Sequence, residues 1–367
     1  MPSPFRTPSA ATGNPPWSPF VVRKDEIEAE IDRLAAEGEP GRRTSLIVHP
    51  QAPAHLPSLA PSVRVALNVA LPGEATPVQR TNATSVGFVL QGEATVRCGD
   101  QTIVAARHDV WNVPSWRSTS VENRGTTPCV WLSYSNAPLL EALAVHVHQE
   151  PPDDDALIRS DVTPAPRADE GGNRTSPYGV FPLDGSEAHL MPYERLIAPP
   201  VVPSPALHWP WTDVAAHLDK LEALGAEYVG RRLYLLYNPA TGRTNGTTTT
   251  FFATITRRPP GIVDRPHRHV SAAINYFFHG SGWSIIGGQR YEWAAGDLML
   301  TAPGWMIHGH ASNQGDHVYE LTIQDQPLHI AIESLLWQED LGRAPRVLGA
   351  EAGFATNREA VGTEGVS

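Results

Sequence analysis

The residues best suited to chemistry are His267, His269 and His308. Residues two apart on a strand point to one face, so the His267-Arg268-His269 run can turn both imidazoles inward while a later strand brings in His308. Three neutral imidazoles on one side of an interior site leave coordination positions open for substrate or oxygen. That donor set suits non-haem Fe(II), with Mn, Ni, Cu or Zn as other divalent occupants. His310 follows two residues after His308. Crowding along the strand argues for its facing substrate as hydrogen-bond partner or general base, with an imidazole pKa suited to neutral pH, rather than for its holding the metal. His279, His317 and His329 lack partners at ligand spacing, and His146 and His148 form an HxH pair in an apolar closing segment without a third ligand. All five read as structural or surface residues.

The elements that must carry these histidines occur twice. At an offset of 188 residues Pro72-Gly73 matches Pro260-Gly261, Gly92 matches Gly280, Gly99 matches Gly287 and Asp109 matches Asp297. After a one-residue slip Pro114 and Trp116 match Pro303 and Trp305, and Leu132, Pro138 and Gln149 match Leu321, Pro327 and Gln338. Both copies consist of short runs rich in Val, Ile, Phe, Tyr and Thr, broken by Gly, Asp and Pro turns, which predicts an antiparallel sandwich or barrel in each. Helical periodicity is confined to Lys24–Glu37, residues 212–224 and the stretches after Pro138 and Pro327. The first copy has Gln79, Thr81 and Thr119 where the second has His267, His269 and His308. None of the three is a good transition-metal ligand, so the first barrel is expected to be metal-free.

The expected domain order is an N-terminal arm with a helix over 1–59, a first barrel over 60–150, a Pro/Asp-rich linker over 151–205, a second barrel over 206–342 and a tail over 343–367. With 41% hydrophobic and 18% charged residues the chain is too apolar to be disordered. A net charge of −11 with scattered cations speaks against nucleic acid as a partner. Two cysteines are too few for a disulfide framework, and no apolar run reaches membrane-spanning length. These features lead us to expect a cytoplasmic protein with no membrane partner.

Several runs carry a family resemblance: His267-Arg268-His269, Gly280-Ser281-Gly282, Gly287-Gly288-Gln289-Arg290-Tyr291-Glu292-Trp293, Gly296-Asp297-Leu298 and Pro303-Gly304-Trp305-Met306-Ile307-His308-Gly309-His310. They resemble the two motifs of the cupin superfamily. Within it the chain resembles the bicupins of the gentisate, salicylate and 1-hydroxy-2-naphthoate dioxygenase group. Trp209-Pro210-Trp211, Tyr237-Asn238-Pro239 and Thr247 to Thr250 resemble the lead into that group's second barrel.

The resemblance implies an all-β fold of two tandem cupin jelly-roll barrels with a few capping helices. It also implies a homo-oligomer, dimer or tetramer, that adds both atoms of O2 to an aromatic ring at a three-His Fe(II) centre. In that group the working iron usually lies in the first barrel, with an Arg shortly after the HxH; here the ligands are in the second, and Asn275 stands at the matching offset. Asn275 and Phe277 face inward by alternation, Trp305 lies near the second motif, and Arg231 or Arg232 could supply an anion contact. A metal-dependent isomerase, cyclase or decarboxylase, or a non-catalytic ligand-binding bicupin, remains the alternative on sequence alone.

Overall fold

The computed structural model describes residues 17–150, 181–182, 187–191, 204–225, 230–301 and 304–348. Most of the 151–205 linker and the end of the 343–367 tail lie outside these residues.

Two barrels of matching design are built. In the first, a six-stranded sheet runs in the order 208–209, 110–113, 85–91, 129–135, 64–70, 44–47 and faces a three-stranded sheet of 101–105, 94–98 and 119–122. In the second, the order is 20–22, 298–300, 273–279, 318–324, 252–258, 232–235, facing 289–294, 281–286 and 308–312. Matched glycines explain why the repeat keeps register: Gly92 and Gly280 sit at φ 74 and 76, and Gly99 and Gly287 at φ 60 and 56. These turns need the left-handed region, which glycine adopts without the Cβ clash.

Neighbouring strand residues serve different cores. On one face Val65, Leu67, Phe88 and Leu132 of the first barrel pack with Ile255, Ile274, Leu321 and Ile323 of the second in a single cluster. The barrels therefore stand back to back through their six-stranded sheets, and Phe88 meets Tyr276 and Phe278 across the seam at 5.9 and 5.5 Å. Each such side chain removed from water contributes about 1.5–3 kcal/mol.

The other face lines the barrel lumen, and there the copies diverge. The first lumen is apolar, with Val89, Val96, Trp111, Val121 and Trp131 in one cluster. A Cβ on Gly87 would meet the Trp111 ring at 2.1 Å, so this position must be glycine for the indole to lie across it. The second lumen has Phe277, Ser284, Met299, His310 and Glu320 at the matching positions, and Asn275 in place of Gly87.

The arms before each barrel cross over. Residues 20–22 pair with 298–300 of the second barrel, and 208–209 pair with 110–111 of the first. Each arm then leads into a helix, Lys24–Glu37 or Trp211–Glu222. The repeated aspartates anchor the starts of these two helices: Asp297 accepts from the Lys24 amide at 2.8 Å and Asp109 from the Trp211 amide at 2.7 Å. The described part of the N-terminal arm, residues 17–59, thus serves both barrels, because residues 44–47 pair with 65–68 of the first. Two short helices, Ala137–Ala142 and Gln326–Ala331, follow the last barrel strands. Beyond them residues 346–348 pair with 335–337.

Candidate metal centre

His267 and His308 form a bridge between their strands, with mutual backbone hydrogen bonds of 3.0 and 2.9 Å. His269 lies on the two-residue strand 268–269, which pairs with 337–338. Strand alternation aims His267 and His269 to one side and turns Arg268 outward, where its guanidinium lies 4.5 Å from the Trp305 ring. The imidazoles of His267 and His269 are 4.4 and 4.7 Å from that of His308, centroid to centroid.

Each ring is oriented from behind by a backbone carbonyl. Nδ1 of His267 donates to Arg265 O at 3.0 Å, Nδ1 of His269 to Ser271 O at 2.9 Å and Nδ1 of His308 to Met306 O at 2.9 Å. With the proton held on Nδ1, Nε2 becomes the ligating atom of each ring, as outer hydrogen bonds commonly arrange at metal sites. One ligand atom from each lies within 4.8 Å of the others, and all three residues are buried. Ligand atoms on one ion with bonds of ~2.1 Å are at most ~4.2 Å apart, so small ring rotations close the set on a metal.

Electrostatics favours the ligating form. Burial holds His267 below the usual imidazole range, burial with the neighbouring His308 and His267 holds His269 well below it, and burial with His267 brings His308 to about 3. All three are neutral at pH 7, as metal ligation requires. The donor set fits a divalent transition metal.

His310 stands beside this group rather than in it, its ring 5.8 Å from that of His308. Ser284 Oγ lies 2.7 Å from His310 Nδ1 and accepts from Trp293 Nε1 at 2.9 Å. Burial and the Arg258 charge hold His310 well below the ordinary imidazole range, which corrects the expectation of a base poised near neutral pH. At pH 7 its ring is therefore neutral and hydrogen-bonded to Ser284.

The remaining sequence candidates separate. Asn275 is 2% exposed in the lumen, and Phe277 lies flat on Trp293 at 3.8 Å as lumen wall. Arg231 reaches Asp264 at 3.5 Å, near the histidines whose pKa values it helps to lower. Arg232 is engaged instead with Glu222 at 2.9 Å and with the Gly230 carbonyl, and Trp305 sits under Arg268 on the outer side.

Sequence reasoning missed Trp337, which stacks on His269 at 4.9 Å, and Gln324, whose amide nitrogen is 3.1 Å from His269 Nε2 and 2.8 Å from Ser271 Oγ. Alternation along 318–324 could have placed Gln324 on the lumen face. It also missed the buried ion cluster in which Arg258 Nη1 donates to Asp264 at 2.7 Å and Nε to Glu320 at 3.1 Å.

In the first barrel His146 Nε2 lies 2.9 Å from Thr81 Oγ1 and His148 Nε2 lies 2.9 Å from Gln79 Oε1. These two histidines therefore tie down the residues that replace His269 and His267. Among the described residues the second-barrel trio is the one group of three or more His, Cys, Asp or Glu side chains close enough to share an ion.

Comparison with known proteins agrees with this architecture. Residues 69–135 match the family described as "Cupin domain" and residues 252–342 the family described as "AraC-like ligand binding domain". The chain is 24% identical over 279 residues to a 5-aminosalicylate 1,2-dioxygenase of Comamonas sp, covering 74% of this chain and 67% of that one. It is 23% identical over 314 residues to a gentisate 1,2-dioxygenase of Haloferax sp, covering 79% and 80%. Among solved structures, the salicylate 1,2-dioxygenase from Pseudaminobacter salicylatoxidans superposes with a TM-score of 0.70 at 18% identity, covering 89% of each chain. This last likeness speaks to fold.

Proposed function

We propose that this chain, a bicupin of the group that includes the gentisate and salicylate 1,2-dioxygenases, is a metal-dependent ring-cleaving dioxygenase working from the second barrel. The observation that carries the reading is the convergence of His267, His269 and His308, each ring set by a backbone carbonyl, in a barrel whose duplicate has none of them. Fe(II) is the proposed occupant. When bound, it would mediate electron flow from a hydroxylated aromatic ring to O2.

The protein's own part is positioning and exclusion of water. The three histidines remain neutral and oriented, Phe277 on Trp293 walls the lumen, and His310, fixed by Ser284, offers a neutral imidazole beside the trio. Asn275 can hydrogen-bond a hydroxyl or carbonyl but cannot make a bidentate ion pair with a carboxylate, so the pocket favours a phenolic ring over gentisate. The partners are a small aromatic substrate and O2, and further copies of the chain in a homo-oligomer. No helix among the described residues is long and apolar enough to cross a membrane, and we place the enzyme in the cytoplasm.

The test is anaerobic loading with Fe(II), then oxygen-electrode assays against hydroxybenzoates, hydroxynaphthoates and larger phenolics, with mass spectrometry of products. Uptake of one O2 per ring-opened product supports the reading. Substrate conversion without O2 uptake would replace it with Lewis-acid chemistry, and binding without conversion would leave a ligand-binding bicupin.

A further inference from the structure

The second lumen holds charges that the fold does not need. Arg258 is fully buried between Asp264 and Glu320, and Glu320 is 0% exposed. At the matching positions the first barrel has Ala70 for Arg258 and Trp131 for Glu320, and it closes with the same strand order. Desolvating an ion pair is unfavourable, and apolar replacements of similar volume are commonly neutral or stabilising. The pair is therefore retained for the lumen's chemistry rather than for closure of the barrel.

The charges in this lumen cancel. Asp264 takes Arg258 at 2.7 Å and Arg231 at 3.5 Å, while Glu320 takes Arg258 at 3.0 Å. Burial alone would raise the Asp264 carboxyl, but Arg231 and Arg258 together hold it well below the usual range, so it is ionised. Two guanidinium groups thus face two carboxylates, and the cluster has no net positive charge to draw a substrate carboxylate. Arg268 points outward onto Trp305, and Arg232 is held by Glu222. What the lumen leaves over is mainly acceptors: Arg258 Nη2 also lacks a hydrogen bond, but it is ion-paired with Glu320 Oε1 at 3.0 Å. Glu320 Oε2 and Asn275 Oδ1 are both buried without a hydrogen-bond partner. Their strands are adjacent, with Asn275 opposite Thr322 and Phe277 opposite Glu320. A buried acceptor left unpaired has lost its water without recompense.

Resting on the dioxygenase reading, we infer that Asn275 and Glu320 form a specificity subsite for hydrogen-bond donors, so that the substrate is a neutral aromatic bearing hydroxyl or amino donors and lacking a ring carboxylate. Diols and aminophenols belong to this class. A carboxylate placed in the lumen would meet Glu320 and find both arginines already paired.

Binding to the Fe(II)-loaded full chain under anaerobic conditions tests this without turnover, through quenching of tryptophan fluorescence by catechol, 2-aminophenol, salicylate and gentisate. Because catechol and salicylate also differ in their affinity for the metal, the decisive quantity is the ratio of their dissociation constants in wild type against Glu320→Gln. We expect the preference for catechol over salicylate to fall about tenfold in the variant, the loss of one charge-assisted contact. An unchanged ratio would overturn the subsite.

Should Glu320→Gln fail to fold, Asn275→Ala decides, since the duplicate tolerates glycine there. It should weaken catechol and 2-aminophenol about fivefold and leave salicylate within about twofold; equal effects on both would overturn the inference. Absence of O2 uptake with every compound would instead count against the dioxygenase reading, while the binding ratios still judge the subsite.

Discussion

At the scale of single residues, the centre depends on side chains whose removal has separable effects. His267→Ala or His308→Ala removes an Nε2 donor from a three-ligand set, and elemental analysis should find metal content falling from one per chain to near zero. His146→Ala breaks only the contact to Thr81 and should leave metal content unchanged. His310→Ala should retain the metal and lose most turnover, since its ring lies outside the trio but beside it; loss of metal would make His310 a ligand. The two cysteines give a chemical control. Burial pushes Cys98 to about 11 and Cys129 to about 12. Because the thiolate is the reactive form, neither thiol should react with a disulfide reagent at pH 8 until the chain is denatured, when both should titrate.

At the scale of elements, the two exchanged arms depend on one aspartate each. Asp297 accepts from Arg23 Nη1 at 2.9 Å and the Lys24 amide at 2.8 Å, so it fastens the start of the first helix to the second barrel. Asp109 does the same for Trp211, with His208 Nε2 at 2.9 Å as a further partner. Replacing either by Ala leaves donors at the helix start unpaired and should lower stability by about 1–3 kcal/mol in chemical denaturation. The double variant should be close to additive, because the two aspartates sit in different barrels and share no partner. A loss confined to one variant would mean that only one arm is anchored by its aspartate.

At the scale of the whole molecule, the seam between the barrels holds a histidine, His108, whose titration contributes to acid stability. His108 sits there in a left-handed conformation (φ 71) where the second copy has Gly296, its ring 4.6 Å from that of Phe278. Burial chiefly, with Arg107 adding to it, lowers its pKa from 6.5 to about 4. The unfolded chain therefore takes up a proton at this position as pH falls through 6.5, while the folded chain does so only near 4. Its contribution is complete above pH 6.5 and is lost toward pH 4. Urea midpoints measured across that window should decline, and His108→Asn, which tolerates the backbone conformation and does not titrate, should flatten the decline while lowering the midpoint at pH 7. An unaltered slope would place the acid sensitivity in other histidines.

How much of this was legible in the sequence follows from what is local. Turn glycines, two-residue alternation and the HxH are properties of adjacent residues, so the duplication, the barrels, the three-His set and the absence of ligands at Gln79, Thr81 and Thr119 could all be read from the chain. The role of His146 and His148 in holding Thr81 and Gln79 could not, because it joins residues 65 and 69 apart. Nor could the cross-over of arms, which pairs Lys24 with Asp297 across 273 residues, or the cancellation of Arg258 by Glu320 across 62. Periodicity assigns a side chain to a face but not to a neighbour on that face. Whether a buried arginine is free for substrate or already neutralised depends on which strands the closed barrel sets side by side, and that was decided only by the tertiary structure.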